Sequence, residues 1–227
     1  MTSKNNILNQ ETLINKIIRY LAVIGIIPGI ILPFYQFFLH GGRDAASIIV
    51  RSSAHAEAHV LGGVCSLLLI FPIIATFFTI AKNNYKKGLL FAFVLVLFTQ
   101  ALYGGLLFVD GFTNTILAKY DPVQQTNQHS ENLFEVIFQN NLLGMAPIII
   151  IIGFFLLIIT YALWGSYIMR SRIFPKLIGG LFIMGGLIIG TALFTPAKFA
   201  TLGYAGIGLG NAWLGFLIFT NRYTFKD

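Results

Sequence analysis

Charged side chains are scarce in this chain. Asp, Glu, Lys and Arg make up 10% of its 227 residues, against about a quarter of an average soluble protein. Its mean hydropathy is +0.80, and its apolar residues form long runs rather than amphipathic stripes. This composition excludes an ordinary soluble domain and indicates a protein whose solvent is the lipid bilayer.

Cysteines and catalytic signatures are also lacking. The single cysteine, Cys65, excludes an internal disulfide and is interpreted as a small buried apolar residue. There is no G-x-S-x-G elbow, no P-loop and no dinucleotide-binding fingerprint. Neither a basic stripe nor a stacking motif is present, so we expect no nucleic-acid partner. These absences favour a protein that is not an enzyme.

Six apolar runs are long enough to cross a bilayer, because a helix of about 20 residues spans its hydrocarbon core. They cover residues 14–39, 56–81, 88–109, 142–169, 177–194 and 199–220. Continuous Ile, Leu and Phe runs lack the alternation of a barrel strand, and helices satisfy their own backbone hydrogen bonds in lipid. The sequence therefore predicts an all-α protein with one domain of six transmembrane helices.

The basic residues predict how these helices are oriented. Eleven of the fifteen Lys and Arg residues lie before the first run or at its start, follow the last run, or lie in the second-to-third and fourth-to-fifth connections. Six of the eight acidic residues lie in the other three connections or, in the case of Glu57, at the adjoining start of the second run. Because short cytoplasmic segments are enriched in Lys and Arg, we expect both termini in the cytoplasm.

Glycines and prolines inside the spans predict how the helices pack. Three G-x-x-x-G pairs let neighbouring backbones approach closely: Gly25 with Gly29, Gly186 with Gly190, and Gly206 with Gly210. Packing within the chain is the favoured interpretation, with a ligand crevice or a homo-oligomer seam as alternatives. The first span is expected to bend at Pro28 and Pro33. The same reasoning applies less strongly to Pro72 in the second span and Pro147 in the fourth.

Few polar side chains lie inside the spans. The main amides are Gln36, Gln100 and Asn211, and no Asp, Glu, Lys or Arg lies at mid-depth. This disfavours ion pumps and proton-coupled transporters, which need a buried ionisable group. Gln100 and Asn211 are expected to hydrogen-bond between helices rather than to hold a ligand. Five aromatic residues are interpreted as interfacial anchors, with ligand contacts as the alternative: Tyr161, Trp164, Tyr167, Tyr204 and Trp213.

Two histidines open the second span. His55 and His59 lie one helical turn apart on one face, with Glu57 pointing elsewhere. Two imidazoles at this spacing can chelate one Zn or Cu ion. The spacing differs from the metalloprotease pattern H-E-x-x-H, and a haem would need a second histidine from another element.

The long third connection supplies further candidate ligands. Its residues 131–138 have the pattern of a short amphipathic helix at the membrane interface. His129, Glu131 and Glu135 are the side chains that would complete a divalent-metal site with the histidine pair. The alternative is that these polar residues lie at the membrane–water boundary and bind nothing.

The last third of the chain resembles a known family. The segment that begins at Arg172 reads RIFPKLIGGLFIMGG, and the one that begins at Gly208 reads GLGNAWLGF. Both are similar to the bacterial six-helix membrane family named domain of unknown function 4386, over residues 141–220. The resemblance implies a bacterial cytoplasmic membrane protein and carries no catalytic residues with it.

Two functional hypotheses follow. The first is a non-enzymatic bundle that binds a small lipophilic or cationic ligand, or a membrane partner, at its outer face. Transport, sensing or immunity against a membrane-active compound would each use such a bundle. The second is a metal- or haem-binding protein or enzyme centred on His55 and His59.

Overall fold

The computed structural model describes residues 2–34, 52–120, 146–192 and 197–223. This part of the chain forms eight helices and contains no strand, which confirms the all-α prediction for it. The helices are α1 (Thr2–Ile24), α2 (Ile26–Phe34), α3 (Ser52–Leu68), α4 (Ile70–Asn84), α5 (Lys87–Tyr120), α6 (Ala146–Ser171), α7 (Lys176–Gly190) and α8 (Ala197–Thr220). Gln36 and the expected interfacial helix at 131–138 lie outside the described residues.

Five segments in the described part of the chain are long and apolar enough to cross a membrane. They are Thr12–Phe34, Ala54–Asn83, Lys87–Phe112, Ile151–Ser171 and Phe199–Thr220. The run at 177–194 corresponds to α7, an apolar helix of 15 residues. At 1.5 Å per residue α7 is about 22 Å long, shorter than a hydrocarbon core of about 30 Å. The sixth span therefore stays a prediction.

Two spans are interrupted, and prolines explain both breaks. Helix α1 ends at Ile24 and α3 ends at Leu68, each four residues before a proline, Pro28 or Pro72. A proline ring clashes with the carbonyl four residues earlier and cannot donate a hydrogen bond to it. Both helices are thus interrupted in the turn before a proline, at the two positions where bends are predicted. By contrast, α2 continues through Pro33 to its end at Phe34.

The two breaks pack against each other. A Cβ atom added at Gly25 would lie 2.2 Å from Cγ of Pro72 and 2.6 Å from its Cδ. Only a residue without a side chain fits against this ring. The break between α1 and α2 therefore lies against the first turn of α4, which follows the break after α3.

Helix α8 lies at the centre of the packing, in contact with α1, α2, α4 and α7. Its backbone meets α2 where Gly208 faces Gly29, and a Cβ on either glycine would lie 2.4 Å from the carbonyl oxygen of the other. All six glycines of the predicted G-x-x-x-G pairs contact other helices of the same chain. Packing within the chain is confirmed for them, so a homo-oligomer would have to use another surface.

The basic flanks lie together at one end of the bundle, here called the basic end. It comprises the Tyr85–Lys86 turn, the segment 172–175 and the end of α8. Contacts between the elements join it: Lys82 to Asn15, the Arg19 Nε donating to the Phe219 carbonyl oxygen at 2.8 Å, and the Phe174 and Tyr223 rings at 5.9 Å. The charge segregation read from the sequence therefore has a counterpart in the fold.

The outer faces of the helices are apolar. On α5 the side chains of Phe91, Val94 and Phe98 are all more than half exposed. In water such a surface would be costly, whereas lipid tails solvate it. The exposed apolar faces fit contact with a bilayer.

The contact between Gly25 and Pro72 predicts a steric effect of substitution. Gly25→Ala should destabilise the fold by about 1–3 kcal/mol, because the rigid ring cannot move away from the new methyl group. Thermal unfolding in detergent would measure this as a lowered Tm.

Gly105→Ala is the matched control, since no other described helix lies within 4 Å of a Cβ at that position. It should leave the Tm unchanged or raise it slightly, because alanine favours helix over glycine by about 1 kcal/mol. Equal Tm values for the two variants would contradict the packing described.

Candidate functional site

The histidine pair lies at the end of the bundle opposite the basic end, here called the histidine end. Helix α3 carries His55 and His59 one turn apart, with ring centroids 4.2 Å apart. Both side chains are buried, while Glu57 between them is exposed. The predicted side-by-side arrangement of the two imidazoles is confirmed.

Asp110 of α5 is the partner that the sequence interpretation missed. Its Oδ2 lies 2.8 Å from Nε2 of His59, and 41% of its side chain is exposed. A signal for this contact exists in the sequence. His59 and Asp110 are each about 25 residues from the Tyr85–Lys86 turn, and antiparallel helices joined by a short turn bring equal distances to the same level.

Close packing brings the two helices together here. A Cβ at Gly111 would lie 2.5 Å from Cβ of His59, so the absence of a side chain lets α3 and α5 approach. Further along the same pair, a Cβ at Gly63 would lie 2.8 Å from the Phe108 ring. These two glycines place the Asp110 carboxylate within hydrogen-bond distance of the imidazole.

Both ring nitrogens of His59 face oxygen atoms. Its Nδ1 lies 2.9 Å from the His55 carbonyl oxygen, and a carbonyl only accepts, so Nδ1 carries a proton. Its Nε2 faces the Asp110 carboxylate, with 2.8 Å between Nε2 and Oδ2. The buried imidazole therefore holds the carboxylate in a fixed orientation.

The predicted metal ligands are only partly within the described residues. Those residues contain no group of three or more His, Cys, Asp or Glu side chains arranged to hold a metal ion. His129, Glu131 and Glu135 lie outside them. The proposed five-residue metal site therefore stays a prediction, with two of its members, His55 and His59, placed together.

A second polar layer lies near the middle of the bundle, around Gln100 of α5. Its Nε2 donates to the Ser66 carbonyl oxygen at 2.7 Å and contacts the Ser66 hydroxyl at 2.6 Å. Its Oε1 accepts a hydrogen bond from the Tyr161 hydroxyl of α6. The expectation that Gln100 bonds between helices is confirmed, and its amide is used by three hydrogen bonds from the protein itself.

Two hydroxyl pairs extend this layer. Thr99 and Thr160 join α5 to α6 with 2.9 Å between their oxygens, and the Tyr103 and Tyr204 hydroxyls join α5 to α8. Each bond is buried and links different helices. Satisfied polar networks of this kind fix which helices pair and leave little capacity for a ligand.

Three aromatic residues and one amide depart from the expectations. Tyr161, Trp164 and Tyr204 are buried in the bundle, so their interpretation as interfacial anchors is wrong. Their side chains point toward other helices, which length and composition of a span do not reveal. Asn211 donates its Nδ2 to the Ile207 carbonyl oxygen of its own helix at 3.0 Å, so its amide nitrogen makes no interhelical bond.

The Gln100 layer and the histidine end differ in how accessible they are from outside the bundle. The Gln100 layer is enclosed and satisfied, whereas Asp110 at the histidine end is open to the surroundings. A ligand from outside the bundle would therefore meet the carboxylate of Asp110 first.

Comparison with known proteins adds no relative to this picture. No protein-family model matches the chain, and no curated protein or solved structure does either. Membership of the domain of unknown function 4386 family thus stays a prediction. What the chain does has to be inferred from its own residues, and the half-exposed carboxylate held by a buried imidazole is the group most suited to binding.

Proposed function

We propose that this protein is a membrane-embedded helical bundle that binds a lipophilic cation at its histidine end. The observation that carries the proposal is the Asp110 carboxylate, which is 41% exposed and oriented by the buried His59. Such a carboxylate offers its free lone pairs to a cation that approaches from outside the bundle.

The surroundings of Asp110 favour a cation with apolar substituents. Val109 and Phe112 lie within one helical turn of it on α5 and are 54% and 53% exposed. Glu57 of α3 adds a second acidic side chain at the same end. A small hydrated cation would gain nothing from the exposed apolar groups, whereas an amphiphilic cation would bury apolar area as it binds.

The magnitude of the charge contribution follows from the exposure. Two unit charges 5 Å apart attract each other by about 3 kcal/mol at an effective dielectric constant of 20. Solvent reaches Asp110, and its hydrogen bond to His59 competes for the carboxylate. A net contribution of about 1 kcal/mol, equal to about a fivefold change in affinity, is therefore expected.

The proposal includes an orientation and a location. We place six spans in a bacterial cytoplasmic membrane with both termini inside, as a member of the family named domain of unknown function 4386. The clustering of Arg19, Lys82 and the other bases at the basic end supports the orientation. The antiparallel course of α7 between α6 and α8 supports the sixth span. The histidine end then faces outward, where a transport, sensing or immunity protein would meet a membrane-active compound.

Reporter fusions after Asp227 test the orientation and the number of spans together. A fluorescent protein that folds only in the cytoplasm should be active there, and a phosphatase that works only outside should be inactive. A phosphatase fused after Lys86 is the control and should also be inactive. Phosphatase activity after Asp227 alone would indicate five spans and contradict the proposal.

Binding of tetraphenylphosphonium to the protein in nanodiscs tests the proposed site. Equilibrium dialysis should show one cation per chain, with affinity about fivefold weaker for Asp110→Asn because the negative charge is lost. Glu57→Gln, at an exposed residue of α3, is the control at the same end, and its effect should be smaller. The neutral triphenylphosphine oxide should bind equally to the wild type and to Asp110→Asn. Unchanged tetraphenylphosphonium binding by Asp110→Asn would refute the proposal.

One observation favours a second candidate function, metal binding. The bond from His59 Nδ1 to the His55 carbonyl oxygen directs Nε2 toward Asp110. Histidines that bind metals through Nε2 are commonly oriented by such a bond from the other nitrogen. His129, Glu131 or Glu135 would complete the coordination sphere.

Elemental analysis and an absorption spectrum of the purified protein test this second candidate, after incubation with zinc or copper and removal of the excess. One ion per chain is expected in the wild type and in Glu57→Gln. His55→Ala and His59→Ala should each lose the ion, because a chelating pair needs both imidazoles. A wild type that retains neither metal nor haem would eliminate this candidate.

A further inference from the structure

Three polar atoms inside the bundle have no hydrogen-bond partner among the described residues. They are Thr76 Oγ1, Trp164 Nε1 and Asn211 Oδ1, and all three residues are 0% exposed. A buried polar group that stays unsatisfied costs about 1–3 kcal/mol. Three such groups would therefore substantially lower the free energy of unfolding of this bundle.

The three residues lie at one level. Each lies about eight residues before the end of its helix at the basic end. Thr76 precedes Asn84 in α4, Trp164 precedes Ser171 in α6, and Asn211 precedes Thr220 in α8. This corresponds to a depth of about 12 Å. Helix α4, which carries Thr76, packs against both of the other two helices. The three groups thus lie at the same depth of the interior, on α4 and on two helices that pack against it.

The orientation of the Asn211 amide is determined by its own helix. Its Nδ2 donates to the Ile207 carbonyl oxygen at 3.0 Å. The reversed amide would place two acceptors against each other, so Oδ1 has to point away from that carbonyl. No hydrogen-bond donor among the described residues reaches this oxygen.

Aromatic rings form an apolar wall at the same level. Phe93 stacks on Phe77 with centroids 4.1 Å apart and lies 6.5 Å from the Trp164 ring. Phe77 directly follows Thr76 in α4. Apolar walls with a few convergent polar atoms are typical of sites for small molecules.

We propose that Thr76, Trp164 and Asn211 form an internal binding site for a small neutral molecule in the basic half of the bundle. The indole only donates, the Asn211 oxygen only accepts, and the threonine hydroxyl does either. The guest therefore has a group that both donates and accepts, which is the chemistry of a hydroxyl. Water has it, and so does a lipophilic alcohol.

The guest is uncharged. The buried polar residues described at this depth include no Asp, Glu, Lys, Arg or His, so nothing there would offset the desolvation of an ion. This site differs in both place and chemistry from the cation site at Asp110. It does not depend on that proposal.

The two tryptophans of the chain allow a direct test. In a Trp213→Phe background, Trp164 is the single indole N–H signal in an NMR spectrum of labelled protein in nanodiscs. We expect cross-relaxation between this proton and either water or the protons of a bound alcohol. The first result identifies water and the second an organic guest, which solvent extraction would recover at about one molecule per chain. If the spectrum shows no cross-relaxation and extraction recovers no molecule, the proposal is overturned.

Thr76→Val gives an independent test through the sign of its effect. If a guest bonds to the hydroxyl, the variant should have a lower Tm and a weaker indole cross-peak. If nothing is bound, removal of an unsatisfied buried hydroxyl should raise the Tm, which would contradict the proposal.

Thr79→Val is the matched control on the same helix. Its hydroxyl donates to the Ala75 carbonyl oxygen at 2.8 Å and is also buried. This variant should leave the Trp164 cross-peak unchanged. Loss of the cross-peak in both threonine variants would indicate a general loosening of the bundle and overturn the assignment to Thr76.

Discussion

Direct contact between helix backbones at glycines is the constraint on which the rest of this structure depends. In lipid the hydrophobic effect does not press helices together, so they associate through dispersion contacts and hydrogen bonds that act only at short range. Gly29 with Gly208, Gly185 with Gly203 and Gly165 with Gly179 bring carbonyl oxygens to the positions that side chains would occupy. These crossings connect α2, α8, α7 and α6 in series.

The buried hydrogen bonds follow from these short distances. Tyr103 reaches Tyr204, and Gln100 reaches both Ser66 and Tyr161, because their helices are already close. Each bond in turn excludes other rotations of the helices, since a rotated helix would leave a polar group unsatisfied in an apolar interior. Glycines determine the separation of the helices and polar residues determine their rotation.

Part of this arrangement could be predicted from the sequence and part could not. The helices, the packing role of the six glycines, and the breaks before Pro28 and Pro72 follow from local rules of covalent geometry. Predicting the contact of His59 with Asp110 requires the register of the two spans on either side of the Tyr85–Lys86 turn. The length of the turn gives that register only once the helix ends on both sides of it are known. The burial of Trp164 and the use of Asn211 within its own helix depend on how each helix is rotated, which composition does not encode.

The packing of Gly25 on Pro72 has a mechanical consequence. Each break divides its span into two rods, with α1 and α4 in the basic half and α2 and α3 in the other half. The rods of each half touch one another as well. Because the Pro72 ring packs directly on Gly25, a side chain added at this glycine would displace the neighbouring span. The two interrupted spans therefore share one contact, and a substitution at this contact affects both of them.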